Sequence, residues 1–252
     1  MKLMISFVVA IALPLMTFAQ DSLNVQEIDS LMARTPAYNI AVKDETVVQR
    51  SFLEYDNKVL DYVVSVGDPA GVHYAVNTFN GSLIKAWRGA FLDGSLMWVW
   101  KARGIALAVP TGTVVKLGNE KAFASGVNAA ETWGDSLAVS DNYIFRGYDV
   151  DKKNHPTFRY NIDGAEIEDR TLPAAERSLS RSLQFKSPVP NVLYHRIISG
   201  TNISKVNKDT YLVDNTFKIQ LPANSKTSIR QQGGKQLLLV QLTGDIQYNI
   251  IW

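Results

Sequence analysis

From about Thr46 onward, apolar and polar residues alternate with period two, and the alternation hardly breaks before the C-terminus. In Lys58–Val66, Leu60, Tyr62, Val64 and Val66 alternate with Val59, Asp61, Val63 and Ser65, a strand whose second face is itself partly apolar. The pattern predicts further strands over Ile105–Leu117, bent or at an edge because of Pro110, and over Tyr143–Tyr148. Others follow at Arg177–Lys186, Asn191–Ile198, Tyr211–Leu221, Ser225–Arg230, Gln236–Leu242 and Ile246–Trp252. Turn residues separate them, and helix-like periodicity is confined to Asp21–Arg34 and one short stretch, Val127–Trp133. Short strands at fairly even spacing predict an all-β fold, a large antiparallel β-sandwich or its double-sheet supersandwich form, with a barrel as the alternative.

Two dipeptides set hairpin registers. Asn80-Gly81 joins Gly71–Phe79 to Ser82–Arg88, and a two-residue loop there places Tyr74 opposite Trp87 and His73 opposite Arg88. One face is then aromatic and the other polar. Asp163-Gly164 joins Thr157–Ile162 to Ala165–Arg170 and sets Arg159 opposite Glu168, a cross-strand ion pair.

The N-terminus reads differently. Lys2, an uncharged apolar run from Leu3 to Phe18 and the small residues Thr17 and Ala19 predict a signal peptide over residues 1–19 and an exported protein. Residues 20–45 read as a leader and 46–252 as one β-domain, with no stable membrane anchor after cleavage. The chain has no cysteine, which excludes disulfides, thiolate metal sites and a c-type haem. Loss of Lys2 with the signal lowers the formal charge from +2 to +1, and no run of like charge invites nucleic acid.

Candidate chemistry concentrates in the stretch from Gly71 to Gly104. His73 and Arg88 can bind a hydroxyl or a carboxylate; Asp93, Trp98 and Arg103 follow closely, with Trp100 on the same face as Trp98 if that stretch is extended. These five, His73, Arg88, Asp93, Trp98 and Arg103, are the predicted ligand-binding residues. Trp87 and Tyr74 read as core. Three histidines without His-x-x-x-His spacing imply no metal, and no phosphate loop, dinucleotide fingerprint or Gly-x-Ser-x-Gly is present, so no cofactor is expected.

Gly71-Val72-His73-Tyr74, Ala86-Trp87-Arg88-Gly89 with Phe91 and Asp93, Trp98 and Arg103-Gly104 make one block. Tyr143–Tyr148 with Asp151, and Pro156–Tyr160 with Glu166 and Asp169-Arg170, make a second. Together they resemble a region of secreted Bacteroidetes and Planctomycetes proteins, where it accompanies c-type cytochrome and keto-disaccharide-hydrolase-type domains in sugar oxidation. The resemblance implies a periplasmic or extracellular module and a carbohydrate or oxidised sugar as ligand. It also implies a cytochrome-containing or sugar-dehydrogenase protein as partner. Three functions follow as expectations: a non-catalytic carbohydrate-binding or accessory module, a carbohydrate-active lyase or mutarotase-like isomerase, or a structural partner of a cytochrome-bearing dehydrogenase.

Overall fold

A computed structural model describes Ser30 and residues 38–98, 107–125, 133, 143–175, 178–189 and 192–252. The predicted signal peptide, residues 20–29 and 31–37 of the leader and the predicted short helix before Trp133 lie outside the described residues. The strands, in chain order, are β1 (Asn39–Ile40), β2 (Val47–Tyr55), β3 (Lys58–Gly67), β4 (Val72–Asn77), β5 (Ser82–Asp93), β6 (Val109–Lys116) and β7 (Phe123–Ser125). There follow β8 (Tyr143–Val150), β9 (Pro156–Ile162), β10 (Ala165–Ala174), β11 (Ser178–Phe185), β12 (Leu193–Gly200) and β13 (Ile203–Lys205). The last are β14 (Thr210–Val213), β15 (Phe217–Gln220), β16 (Thr227–Gln232), β17 (Lys235–Leu242) and β18 (Ile246–Ile251).

They form three sheets. The first runs β1-β5-β4-β3-β2 with β6 also on β5, the second β13-β14-β15-β18-β11-β10-β9-β8, and the third β16-β17-β12-β7. Among the described residues all ladders are antiparallel apart from one parallel bridge, Phe52 to Leu107, and the fold is an all-β sandwich. That bridge draws β2 towards the approach to β6, and the first sheet curls into a half-barrel.

The curl gives the first sheet two buried faces. Val64, Val66, Tyr74, Val76, Leu83 and Ala86 point outward into the main core, against Phe158, Tyr160, Ile162 and Leu183 of the second sheet and Leu193 and Ile198 of the third. Leu53, Val63, Ala75, Ile84, Trp87, Phe91 and Leu92 fill the inside of the curl. Tyr74 and Trp87 are both core, as expected, but they lie on opposite faces.

The register of that hairpin corrects the sequence reading. Asn77 pairs with Ser82, His73 with Trp87 and Val72 with Arg88. A type I′ loop needs positive φ at both central residues, and here Gly81 (φ 73°) has it while Asn80 does not. Asn80 instead turns its side-chain oxygen to the Ser82 N–H (3.0 Å). The Asn77 carbonyl accepts the Gly81 N–H (2.9 Å), closing a four-residue loop. A bulge opposite Ala75 and Val76 completes the shift.

The second hairpin forms as predicted. Asp163 (φ 52°) and Gly164 (φ 86°) are both left-handed, Ile162 pairs with Ala165, and Arg159 faces Glu168. The ion pair between those two does not form. Arg159 reaches Asp149 at 3.0 Å and Glu168 takes Lys186 at 3.0 Å, because each finds its counter-charge on the next strand or turn along. Pro110 sits in edge strand β6, where its missing N–H costs no ladder bond. The predicted Tyr211–Leu221 strand is divided into β14 and β15 by Asp214-Asn215, both at positive φ.

Between the sheets lies a buried ion pair. Arg181 holds Asp169 bidentately, Nε to Oδ1 at 2.9 Å and Nη2 to Oδ2 at 2.6 Å, and both side chains are at most 2% exposed. Its remaining donors reach the Gly81 carbonyl (3.1 Å) and the Tyr248 hydroxyl (3.3 Å). Tyr248 Oη lies 3.1 Å from His195 Nε2, and His195 Nδ1 lies 2.9 Å from the Ala122 carbonyl. A carbonyl can only accept, so Nδ1 carries the proton and Nε2 accepts from the tyrosine. Burial, reinforced by the Arg181 charge, pushes the pKa of His195 well below that of a free histidine.

Candidate functional site

The described members of the predicted site occupy three separate settings. His73 is buried inside the curl against Trp87 and Phe91; its Nε2 donates to the Gly89 carbonyl (2.9 Å) and its Nδ1 accepts the Asp68 N–H (3.2 Å). Burial lowers its pKa, so the ring is a neutral core histidine with both nitrogens engaged. Arg88 lies half-buried on the outer side, its guanidinium 4.6 Å above the Trp252 ring. Asp93 Oδ1 accepts the Ser95 N–H (2.8 Å) and its hydroxyl, capping the short 3-10 turn Ser95–Trp98. The Trp98 side chain and Trp100 and Arg103 lie outside the described residues.

Two other concave regions carry polar groups. The larger, about 540 Å³, opens between the first and second sheets and is lined by Thr46, Asp68, Lys152, Lys153, His155 and their neighbours. Its floor is a clasp. His155 Nε2 meets Asp68 Oδ2 at 2.9 Å, His155 Nδ1 meets Asp151 Oδ2 at 3.3 Å, and Thr46 Oγ1 donates to Asp68 Oδ2 at 3.2 Å. Asp151 Oδ1 also closes the β8–β9 turn by accepting the backbone N–H of Lys153 (2.8 Å) and His155 (3.0 Å), the turn role expected of an aspartate there. Both His155 nitrogens face carboxylates from the two sheets and the turn, and the clasp reads as structural.

The second cleft, about 290 Å³, lies where the curled sheet meets the third sheet. It is lined by the β2–β3 hairpin (Tyr55, Asp56, Lys58), by Asn119, Glu120 and Trp133, and by the β16–β17 hairpin (Gln232, Gly233, Lys235). Local sequence explains the two hairpin walls. Asp56 (φ 49°) and Asn57 (φ 63°) make a tight loop pairing Tyr55 with Lys58, and Gly233 and Gly234 do the same for Gln232 and Lys235.

Charges here interlock. Lys235 Nζ lies 3.3 Å from Glu120 Oε1 and 3.5 Å from Asp56 Oδ2, bridging the two carboxylates, and Lys116 Nζ lies 2.6 Å from Asp56 Oδ1. Glu120 Oε2 accepts the Ser199 hydroxyl at 2.6 Å. Burial opposes ionisation of Glu120, but Arg196, Ser199 and Lys235 outweigh it and hold the carboxyl below the usual glutamate range. Asp56 is likewise held low, its modest burial being overcome by Lys116 and Lys235. Burial, with Asp56 and Glu120 nearby, raises the Tyr55 phenol, which stays neutral and accepts the Gly118 N–H at 3.0 Å. Trp133 is fully buried; its indole N–H donates to the Lys121 carbonyl, and Gln232 Oε1 accepts its backbone N–H at 2.7 Å.

Perturbed carboxylates and a tyrosine converge here, which marks this cleft rather than the roomier one as the candidate site. Sequence reasoning missed all of its residues. They come from three distant segments, and none sits in a spacing that carries a motif. Among the described residues no group of three histidines or acids could hold a metal ion, and no helix is long and apolar enough to cross a membrane. No family model and no curated protein matches the chain.

Proposed function

We propose that the protein is an exported, non-catalytic carbohydrate-binding module whose ligand enters the cleft between Asp56, Asn119, Glu120, Gln232 and Lys235. The observation that carries this reading is the pair of ionised carboxylates bridged by Lys235 in a polar hollow. Ionised carboxylates accept hydrogen bonds from vicinal hydroxyls, while the lysine and the Gln232 amide donate, a mixture that suits a polyhydroxylated neutral ligand. The volume of about 290 Å³ is at the small end of ligand sites and suits one or two sugar rings.

Binding without turnover is favoured by the same electrostatics. Glycoside hydrolysis needs one carboxyl kept protonated as general acid by a raised pKa. Asp56 and Glu120 are both pushed the other way. The signal peptide expected over residues 1–19 supports a module that works in the periplasm or outside the cell, where free and oligomeric sugars are met.

The test uses the signal-free chain against a panel of neutral and oxidised mono- and disaccharides. Calorimetry with at least one of them should give saturable binding that Lys235→Ala and Glu120→Gln weaken, while NMR finds the sugar unchanged after long incubation. Product formation by the wild type that Glu120→Gln abolishes would replace the binding module with an enzyme. Absence of binding across the panel would remove the reading altogether.

A further inference from the structure

One wall of the cleft is gripped from behind by a buried arginine, beside Asn80, whose Nδ2 donates to the Asn119 carbonyl (2.7 Å). Arg196 enters from β12 and is 2% exposed. Its donors converge on the main chain that carries Asn119 and Glu120. Nη1 donates to the Leu117 carbonyl (3.1 Å); Nη2 lies 2.8 Å from the Glu120 carbonyl and 3.4 Å from that of Gly118. Nε is shared between the Glu120 (3.2 Å) and Lys121 (3.3 Å) carbonyls. Ser82 Oγ accepts from Nη2 at 2.8 Å and itself donates to the Glu120 carbonyl, tying in β5.

The segment is pressed against this guanidinium. Gly118 has φ 101°, and a Cβ there would stand 2.0 Å from Ser199 Oγ and 2.7 Å from both Arg196 Nη1 and Glu120 Oε2. The Glu120 carboxylate itself lies 3.9 Å from Nη1. A planar guanidinium with five donors in a fixed fork can gather several carbonyls at once, whereas an ammonium acts as a point charge.

We infer that Arg196 is the positioning residue of the cleft: it clamps 117–121 so that Asn119 and the Glu120 carboxylate face the ligand while Arg196 itself never touches it. This inference rests on the proposed binding site for its meaning, but its geometry can be tested without any ligand. Arg196 also contributes the main attractive charge that keeps Glu120 ionised.

The experiment compares Arg196→Met and Arg196→Lys with Arg181→Met, which removes an equally buried guanidinium that makes no contact with 117–121. NMR follows the titration of the Glu120 carboxyl and the amide signals of 117–121, and calorimetry follows the tightest-binding saccharide of the panel. In Arg196→Met the Glu120 titration should move up towards an ordinary glutamate, and affinity should fall about tenfold, the low end of the loss that follows removal of outer hydrogen-bond partners at metal sites. Arg196→Lys should restore part of the titration but little of the affinity, and Arg181→Met should move neither. Unchanged Glu120 titration and 117–121 amides in folded Arg196→Met would overturn the inference. Should that variant not fold, Ser82→Ala, which removes the hydroxyl between Arg196 and Glu120, decides by the same readouts. If no saccharide binds the wild type, the functional reading falls while the titration still judges the clamp.

Discussion

The Asp169–Arg181 pair at the centre of the sandwich gives the sharpest test of how the sheets are held. Arg181→Met keeps much of the side-chain volume and removes the guanidinium. It leaves the Asp169 carboxylate, a residue 1% exposed, without its two donors at 2.9 and 2.6 Å, and it strips the Gly81 carbonyl of a donor. Removing one partner of a buried pair costs about 3–5 kcal/mol, because the remaining charge is stranded in a poorly solvating interior. For a domain of this size that corresponds to roughly 2–4 °C in Tm per kcal/mol, a loss on the order of 10 °C. Replacing both groups, as Asp169→Leu with Arg181→Met, removes the stranded charge and should recover most of the loss, since apolar replacements of buried pairs are often neutral. Urea unfolding with a constant m value measures Arg181→Met, Asp169→Leu and the double variant and closes a double-mutant cycle. A loss below about 1 kcal/mol for Arg181→Met, or a double variant as unstable as the sum of the singles, would refute the argument.

Acid should weaken the fold through its buried histidines. His195 and His73 both have lowered pKa values in the native state, so each stays neutral when folded and protonates when unfolded. Their contribution is complete above the free value of about 6.5 and falls as pH drops below it, by up to about 1.4 kcal/mol per unit for each ring. Urea midpoints from pH 7.5 to 5 check this, and His195→Gln should flatten the slope; stability that rises towards pH 5 contradicts it. Gly112→Ala should destabilise by about 2 kcal/mol or more, since the new Cβ would sit 2.0 Å from the Arg88 carbonyl oxygen, a backbone atom that cannot swing away. A thermal midpoint within a degree or two of wild type would show that β5 and β6 can part there freely. His155→Ala removes the clasp to Asp68 and should raise amide exchange at Thr46, whose N–H donates across the sheets to the Lys153 carbonyl at 3.3 Å, while leaving the cleft around Glu120 unaffected; equal exchange in the variant would deny the clasp a role.

Alternation of apolar and polar residues made the strands legible, and Asp163-Gly164 gave a register that the structure reproduces because both residues accept positive φ. Asn80-Gly81 misled for a tertiary reason. Asn80 is fully buried and donates through Nδ2 to the Asn119 carbonyl at 2.7 Å, so its side chain is committed to a neighbouring loop and the local turn preference yields. The polar-looking face of β4 was a second core, and nothing local to His73 announces that the sheet curls over it. Isolated residues hide the cleft: Glu120 acquires its character from Arg196, 76 positions away, and from Ser199 and Lys235. A reading that follows neighbours along the chain has no access to such distances.

Among the described residues, the curled sheet closes its backbone at the Phe52–Leu107 bridge, where the Ala108 N–H donates to the Phe52 carbonyl at 2.9 Å, flanked by the Lys116–Asp56 ion pair and by the Gly118 N–H on Tyr55 Oη. The two cores it separates therefore differ in how they can open. The outer one is walled by full ladders from three sheets, and exposing it means unfolding the protein. The inner one has a seam, and parting it at that bridge and its flanking side-chain links would let water reach Trp87 and Phe91 while the rest of the sandwich stays assembled. Tryptophan fluorescence and amide exchange at Ala108 would thus report a breathing motion that the melting temperature never registers.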